Sequence, residues 1–214
     1  MYLDLATGTH DWRDIYKLCI GFINPRPIAL VSTISTTGAL NLAPYSFYNM
    51  VCGNPPVVLF CPTVRRTGGS KDTLRNVRET GEFVIATVSA DIAQPMSRCA
   101  AELPPELSEF EFSGLTPAPA TKVTARLVRE SPVNMECRLR QIVTVGAGPG
   151  SGNVVFGDIL AIHVAERVLD PRGQVDPFKL STVGRLGGAY YCNVTEPYEM
   201  KIPDWPPPGA QRDG

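Results

Sequence analysis

Apolar and polar positions along this chain change period often, and the periods mark short strands more than helices. The run Pro27-Ile28-Ala29-Leu30-Val31-Ser32-Thr33-Ile34-Ser35 is apolar, rich in β-branched residues and short, which predicts a strand ended by the turn chemistry of Thr36-Thr37-Gly38. Residues 56–61 and 82–88 predict two more. Residues 133–140 alternate strictly: Met135, Cys137 and Leu139 point one way and Glu136, Arg138 and Arg140 the other, the signature of an antiparallel strand with one wet face. Residues 121–129 and 159–164 alternate as well. Helical spacing is confined to 72–80, where Leu74 and Val77 share a face and Gly81 is a natural stop, and to 90–103, disturbed by Pro95. Residues 12–18 read as a short helix or a leading arm.

The punctuation between these elements sharpens the fold class. Gly146-Ala147-Gly148-Pro149-Gly150-Ser151-Gly152 lacks the third glycine of a dinucleotide fingerprint and is followed by a strand pattern, so it predicts a hairpin loop. Gly68-Gly69-Ser70-Lys71-Asp72 lacks the ending of a P-loop. Residues 104–119 form a long predicted loop carrying Phe110 and Phe112, either a cover for a site or partner subunit or a solvated excursion anchored by two rings. Asp170-Pro171-Arg172-Gly173 is a turn. Many short strands, few helices and no regular βαβ alternation predict a mainly β fold with flanking helices, an antiparallel barrel rather than a Rossmann sheet. One domain over residues 1–200 is expected, with a proline-rich, mobile tail over 201–214.

Composition changes the picture mainly by exclusion. With 43% apolar residues the chain can build a core, and its net charge of −1 gives no electrostatic footprint for nucleic acid or an anionic membrane. The six cysteines form no C-x-x-C pair and read as buried, reduced thiols, while two histidines, His10 and His163, offer little for a zinc site. No signal peptide or membrane span is legible, so a soluble, cytoplasmic protein is expected. No Ser/His/Asp set, carboxylate pair or thiol with a matched base stands out, and no catalytic acid or base is assigned.

Candidate chemistry gathers between residues 26 and 73. Polar groups recur at the edges of buried strands there, a pattern suited to a phosphorylated ligand with a flat ring. Lys71 offers a charge and Thr73 a hydroxyl at a helix N-terminus whose free N–H groups favour anions; alternatively Ser70 or Asp72 caps the helix and Lys71 is solvated. Thr33 and Ser35 share a strand face, Thr33 being the stronger candidate. Arg65-Arg66 reads as a solvated loop or a contact for nucleotide phosphates, and His163 as a packed or surface histidine.

The string Asn24-Pro25-Arg26-Pro27 to Val31-Ser32-Thr33, then Asn41-Leu42-Ala43-Pro44-Tyr45-Ser46-Phe47, then Lys71-Asp72-Thr73-Leu74-Arg75-Asn76, resembles the flavin reductase-like family, and Gly184-Arg185-Leu186-Gly187-Gly188-Ala189-Tyr190-Tyr191 resembles its long-chain branch. That resemblance implies a Greek-key FMN-binding split barrel, usually a homodimer with FMN near the subunit interface. It places Lys71 and Thr73 at the phosphate, counts Asp72 among the cofactor-binding residues, and puts Thr33 at the ribityl chain or ring and Ser46, Phe47, Tyr48 and Asn49 at the flavin's polar edges. Arg26, Thr63 and Arg185 complete the expected cofactor contacts, with the glycines around Arg185 leaving the backbone close to an open flavin face. The implied activity is hydride transfer from NADH or NADPH to FMN, with reduced flavin passed to a monooxygenase or to oxygen. A flavoredoxin-type electron carrier and a flavin-free relative are the alternatives.

Overall fold

In a computed structural model the elements run α1 Trp12–Phe22, β1 Ala29–Ile34, β2 Leu40–Tyr45, β3 Tyr48–Gly53, β4 Pro56–Phe60, α2 Asp72–Thr80, β5 Glu82–Thr87, α3 Ala93–Arg98, α4 Glu109–Ser113, β6 Pro117–Ala118, β7 Leu127–Val128, β8 Val133–Val145, β9 Gly152–Val164, α5 Pro177–Leu180, β10 Val183–Arg185 and β11 Tyr191–Asn193. The structure describes residues 1–65, 67–103 and 107–203; Arg66, part of the expected long loop and most of the expected tail lie outside them.

Seven strands form one antiparallel sheet in the order β2-β1-β5-β8-β9-β4-β3. Its two edge strands, β2 and β3, are consecutive in the chain and separated only by Ser46 and Phe47. Six interstrand steps of about 4.8 Å would hold the edges of a flat sheet roughly 29 Å apart, whereas the three Cα–Cα steps from Tyr45 to Tyr48 reach at most about 11 Å. The sheet therefore curls, bringing the end of β2 beside the start of β3. Register shifts at Glu136/Cys137 and Leu139/Gln141 in the β8–β9 ladder add the local twist such a curl needs.

Alternate strand positions face inward, as a period of two requires. Ala29, Val31, Tyr45, Val58, Phe60, Phe83, Ile85, Cys137 and Val155 form one buried cluster together with Leu74 and Val77 of α2. The Phe60 ring lies 5.2 Å from Tyr45 and 5.3 Å from Phe83, so side chains from β2, β4 and β5 meet across the interior. Gly157 on β9 makes room for this: a Cβ there would sit 2.3 Å from Phe83 Cζ. The outer face of β1, β2 and β5 carries Ile28, Leu30, Leu42 and Ala86 against Met96 of α3, Phe110 of α4, Val128 and Val183.

Apart from residues 121–129, the predicted strands, the 72–80 helix with Gly81 in the left-handed region (φ 72°), and the 146–152 hairpin loop appear in place. Five expectations change. The first helix runs on to Phe22, and the helix expected over 90–103 shortens to α3, with Pro95 in its first turn where no N–H bond is lost. Within the expected long loop, Ser108 caps α4; Phe110 is buried and Phe112 exposed, so one ring anchors the segment rather than two. Residues 121–129 pair only at β7, because the N–H groups of Thr121, Lys122 and Val123 turn to the Glu136 carboxylate at 2.5–3.1 Å instead of to a strand. Glu136 consequently leaves the expected wet face and is fully buried, with His163 Nε2 at 2.5 Å.

Burial acts to raise the Glu136 pKa, but the bonds from His163, Thr121 and Lys122 outweigh it and hold the group near about 2. Because the folded pKa is depressed, its stabilisation is complete above the ordinary carboxylate range and is lost as pH falls toward about 2. Glu136→Ala should cost on the order of 3 kcal/mol, since it strands several buried donors. Urea titrations from pH 7 to pH 2 should show the variant's deficit shrinking below the ordinary carboxylate range; an unchanged deficit across that interval would contradict this role.

Candidate functional site

Two adjoining cavities lie between β2 and the helices. They share Pro44, Tyr45 and Ala100 and together make one groove. The first, about 190 Å³, is lined by Arg65, Lys71, Asp72, Thr73, Glu102 and Glu109 among others. The second, about 210 Å³, is bordered by Tyr16, Ile20, Arg26, Ser46, Arg185 and Tyr191. Pro44 is tolerated in β2 because this is an edge strand, where a missing donor breaks no second ladder.

A buried polar network sets the position of the first cavity. Asn41 Nδ2 donates to Thr33 Oγ1 (3.1 Å) and Thr73 Oγ1 (2.9 Å), and Asn76 Nδ2 donates to Thr33 Oγ1 (3.1 Å). These bonds pin the first turns of α2 against β1 and β2. Thr33 and Thr73, two of the expected cofactor contacts, are therefore buried in the network; Thr73 borders the cavity and Thr33 does not.

Lys71 occupies the N-cap of α2, with extended backbone and no side-chain cap bond, so neither Ser70 nor Asp72 caps the helix. Its ammonium stands 5.2 Å above the centre of the Tyr45 ring, a favourable cation–π placement. Among the described residues it forms no ion pair, and burial first and the nearby Arg65 charge second lower its pKa, against the pull of Glu102. Asp72 is held between Arg65 and Arg75, 2.7 Å from each, so it orients two guanidinium groups at the helix start. Arg65 thus belongs to the cavity wall rather than to a solvated loop. The Glu109 carboxylate accepts from Leu42 N at 3.0 Å, and burial pushes its pKa up.

At the other end, Arg26 is buried and serves as a staple. Its guanidinium donates to the carbonyls of Ile20 (2.8 Å), Ile23 (2.5 Å) and Leu186 (2.9 Å), and Nε reaches Ser46 Oγ at 3.4 Å. Its backbone pairs in both directions with Arg185. Arg185 lies over the Tyr191 ring at 4.4 Å, donates to the Tyr191 hydroxyl and reaches Gly188 O at 2.5 Å. Ser46 is half-buried in the β2–β3 link, and the exposed Phe47 meets Tyr16 edge-on at 6.4 Å.

The other expected contacts fall elsewhere. Tyr48 and Asn49 are neighbours in β3 and so face opposite ways: Tyr48 packs toward the interior, while Asn49 is exposed and its Oδ1 accepts from Met50 N at 2.8 Å. Thr63 pairs with Gly152 at the loop end of the β8–β9 hairpin, outside both cavities. Gly184 and Gly187, on either side of Arg185, lie close against protein, whereas Gly188 has nothing nearer than Tyr190 Cδ2 at 4.0 Å. A Cβ on Gly184 would lie 2.8 Å from Pro25 Cβ, and one on Gly187 would lie 3.1 Å from Gly21 Cα. Sequence reasoning missed Tyr45, Glu102, Glu109 and Tyr16 as lining residues; a tyrosine between Pro44 and Ser46 was the one local signal available.

The chain matches the family model described as flavin reductase like domain over residues 22–179. An uncharacterised protein of Aquifex aeolicus is 40% identical to it, covering 94% of this chain and 100% of that one. Nitrilotriacetate monooxygenase component B from Bacillus cereus has a similar structure, with a TM-score of 0.86 at 32% identity over 94% of this chain and 99% of that one. So does 2-nitrobenzoate 2-nitroreductase from Pseudomonas fluorescens, with a TM-score of 0.84 at 29% identity over 98% and 100%.

Proposed function

The chain belongs to the flavin reductase like domain family, and on that premise we propose that it is an NAD(P)H-dependent flavin reductase holding FMN in the groove. The observation that carries this reading is the groove's polarity. One end offers the Lys71 ammonium at an uncapped helix N-terminus, a setting for a phosphate. The other offers Ser46, the β2–β3 link and the Arg185–Tyr191 wall, a setting for the edges of a planar ring.

FMN, when bound, supplies the ring that accepts hydride from NADH or NADPH. The residues themselves bind and orient. Lys71 and the first N–H groups of α2 fix the phosphate, with Arg65 held nearby by Asp72. Ser46 Oγ, positioned by Arg26, is available to a ring heteroatom. Phe47 and Tyr16 border the exposed side, leaving an approach for a second planar ring. No side chain is assigned a proton transfer.

The finer architecture and partners follow from the same premise. The curl with its β2–β3 join supports a Greek-key split barrel. Helix α1 buries none of its residues and exposes Leu18 and Phe22, while β3 exposes Met50 and Val51; these faces suit a homodimer. A similar structure is named as one component of a monooxygenase, which favours delivery of reduced flavin to a separate oxygenase.

Three measurements test the proposal. Lys71→Ala should weaken FMN binding roughly tenfold to a hundredfold, the worth of a charge-assisted contact of about 1.5–3 kcal/mol. Riboflavin, lacking the phosphate, should lose little further affinity in the variant; equal FMN dissociation constants for variant and parent would remove Lys71 from the phosphate site. Anaerobic stopped-flow mixing of FMN-loaded protein with excess NADH or NADPH should bleach the flavin absorbance, whereas flavin left oxidised by both would favour an electron carrier. Light scattering at micromolar concentration should return twice the 23.2 kDa chain mass, and a monomer would speak against the dimer.

A further inference from the structure

The cavity at the start of α2 carries more acid than base, an unusual balance for a phosphate pocket. Among the described residues its lining holds two cations, Arg65 and Lys71, and three carboxylates, Asp72, Glu102 and Glu109. Asp72 is committed to Arg65 and to Arg75, 2.7 Å from each. That leaves the Lys71 ammonium sharing the space with two further carboxylates. A phosphate monoester arriving there brings a charge of about −1.5 to −2 at pH 7, and like charges in a partly buried space push one another toward the protonated form.

Glu109 is the carboxylate whose setting lets it give way. It opens α4, and its Oε2 accepts from Leu42 N at 3.0 Å, a donor on the edge strand β2. Oε1 takes part in no hydrogen bond or ion pair among the described residues. In the smaller cavity Glu109 is joined by Arg65, Lys71, Asp72 and Glu102, by Tyr45 of β2 and by Cys99 at the end of α3. On its other side Asp72, Arg75 and Glu79 of α2 line a second cavity of about 490 Å³, where Arg75 is held by Asp72 and Glu79 is exposed. Glu111, two residues on, borders a different cavity beside Leu115. Burial pushes the Cys99 thiol up to about 11 and the Tyr45 hydroxyl up as well, so both are neutral near pH 7. Burial first, and the Asp72 charge after it, raise the Glu109 pKa against the bonds from backbone N–H groups.

We propose that Glu109 takes up a proton when the phosphate of FMN enters this cavity, and that its ionisation sets how readily the flavin is released. The protonated carboxyl keeps one oxygen on Leu42 N and offers an O–H from the other to a phosphate oxygen, so a repelling neighbour becomes a donor. The inference rests on the FMN reading of the groove and deepens it. Below the pKa of Glu109 in the free protein the group is already protonated, and FMN binds without proton uptake. Above it each FMN bound draws a proton onto Glu109, and affinity falls as pH rises.

Glu109→Gln mimics the protonated acid, since its amide oxygen accepts from Leu42 N while its NH2 donates. Calorimetric titrations of the full chain with FMN, riboflavin and inorganic phosphate would compare parent and variant from pH 5 to pH 8. The ionisation of the ligand's own phosphate and that of Lys71 act alike on both proteins, so the ratio of the two dissociation constants isolates Glu109. The expected result is nearly equal FMN affinity at pH 5 and binding at least tenfold tighter to the variant at pH 8. Riboflavin should bind both proteins alike at every pH. At pH 7, titrations in two buffers of different ionisation enthalpy should show the parent taking up more protons per FMN than the variant. An FMN ratio constant across the range would overturn the proposal. So would a riboflavin ratio that follows the FMN ratio, because the substitution would then act through the fold. FMN failing to bind while inorganic phosphate keeps the pH-dependent gap would remove the flavin reading and leave the proton coupling standing. If neither FMN nor inorganic phosphate distinguishes parent from variant, the coupling falls.

Discussion

Two residues, Ser46 and Phe47, impose the constraint on which the rest of this structure depends. They join the opposite edges of a seven-stranded sheet, and no arrangement short of a curl satisfies so short a tether. Curling turns one face of each strand inward, where rings from β2, β4 and β5 fill the space, and leaves the outer face of β1, β2 and β5 to be covered by α3 and α4. The tether also places a serine hydroxyl and an aromatic ring at one end of the groove. Curvature of the sheet and placement of that end of the groove thus follow from one constraint.

The other end of the groove is fixed by a different kind of interaction. Four buried polar side chains, Thr33, Asn41, Thr73 and Asn76, bond β1 and β2 to the start of α2. Hydrogen bonds of this sort contribute modestly to stability but are directional, and leaving any one unmade inside a core is costly. They therefore act as a locating device: α2 cannot slide or rotate on the sheet without stranding several of them. Lys71, one residue ahead of the helix, inherits that precision, and the Tyr45 ring beneath its ammonium restricts it further.

Much of this was legible in the chain because it rests on local rules. The period-two strands, the stop at Gly81 and the 146–152 hairpin loop each express backbone chemistry within a few residues. What failed to read out depended on partners far away in sequence. Glu136 sits in a strictly alternating strand and looks solvated, yet residues fifteen or so positions earlier abandon strand pairing to donate to it. Arg26 looks like a ligand contact in its Pro-Arg-Pro setting, and only the fold reveals three carbonyls waiting for its guanidinium. Thr33 and Thr73 have the right chemistry for a ligand, but their hydroxyls lie in a buried network that period alone cannot disclose. The positions of Lys71 at a helix start and of Ser46 after the Pro44 bend were readable, and both residues border the groove.

The Phe83 ring packed over Gly157 has a consequence for how such a protein can change over generations. With its interior filled by side chains among the described residues, the curled sheet leaves the groove along β2, between α2 and α3, as the place where a ligand could be held. There much of the lining comes from helix ends and connecting segments, with β2 as the one strand that contributes several residues. Substitutions that alter which molecule is held can then accumulate on the wall while the plug stays constant. A single scaffold of this kind is free to diversify its chemistry without renegotiating its stability.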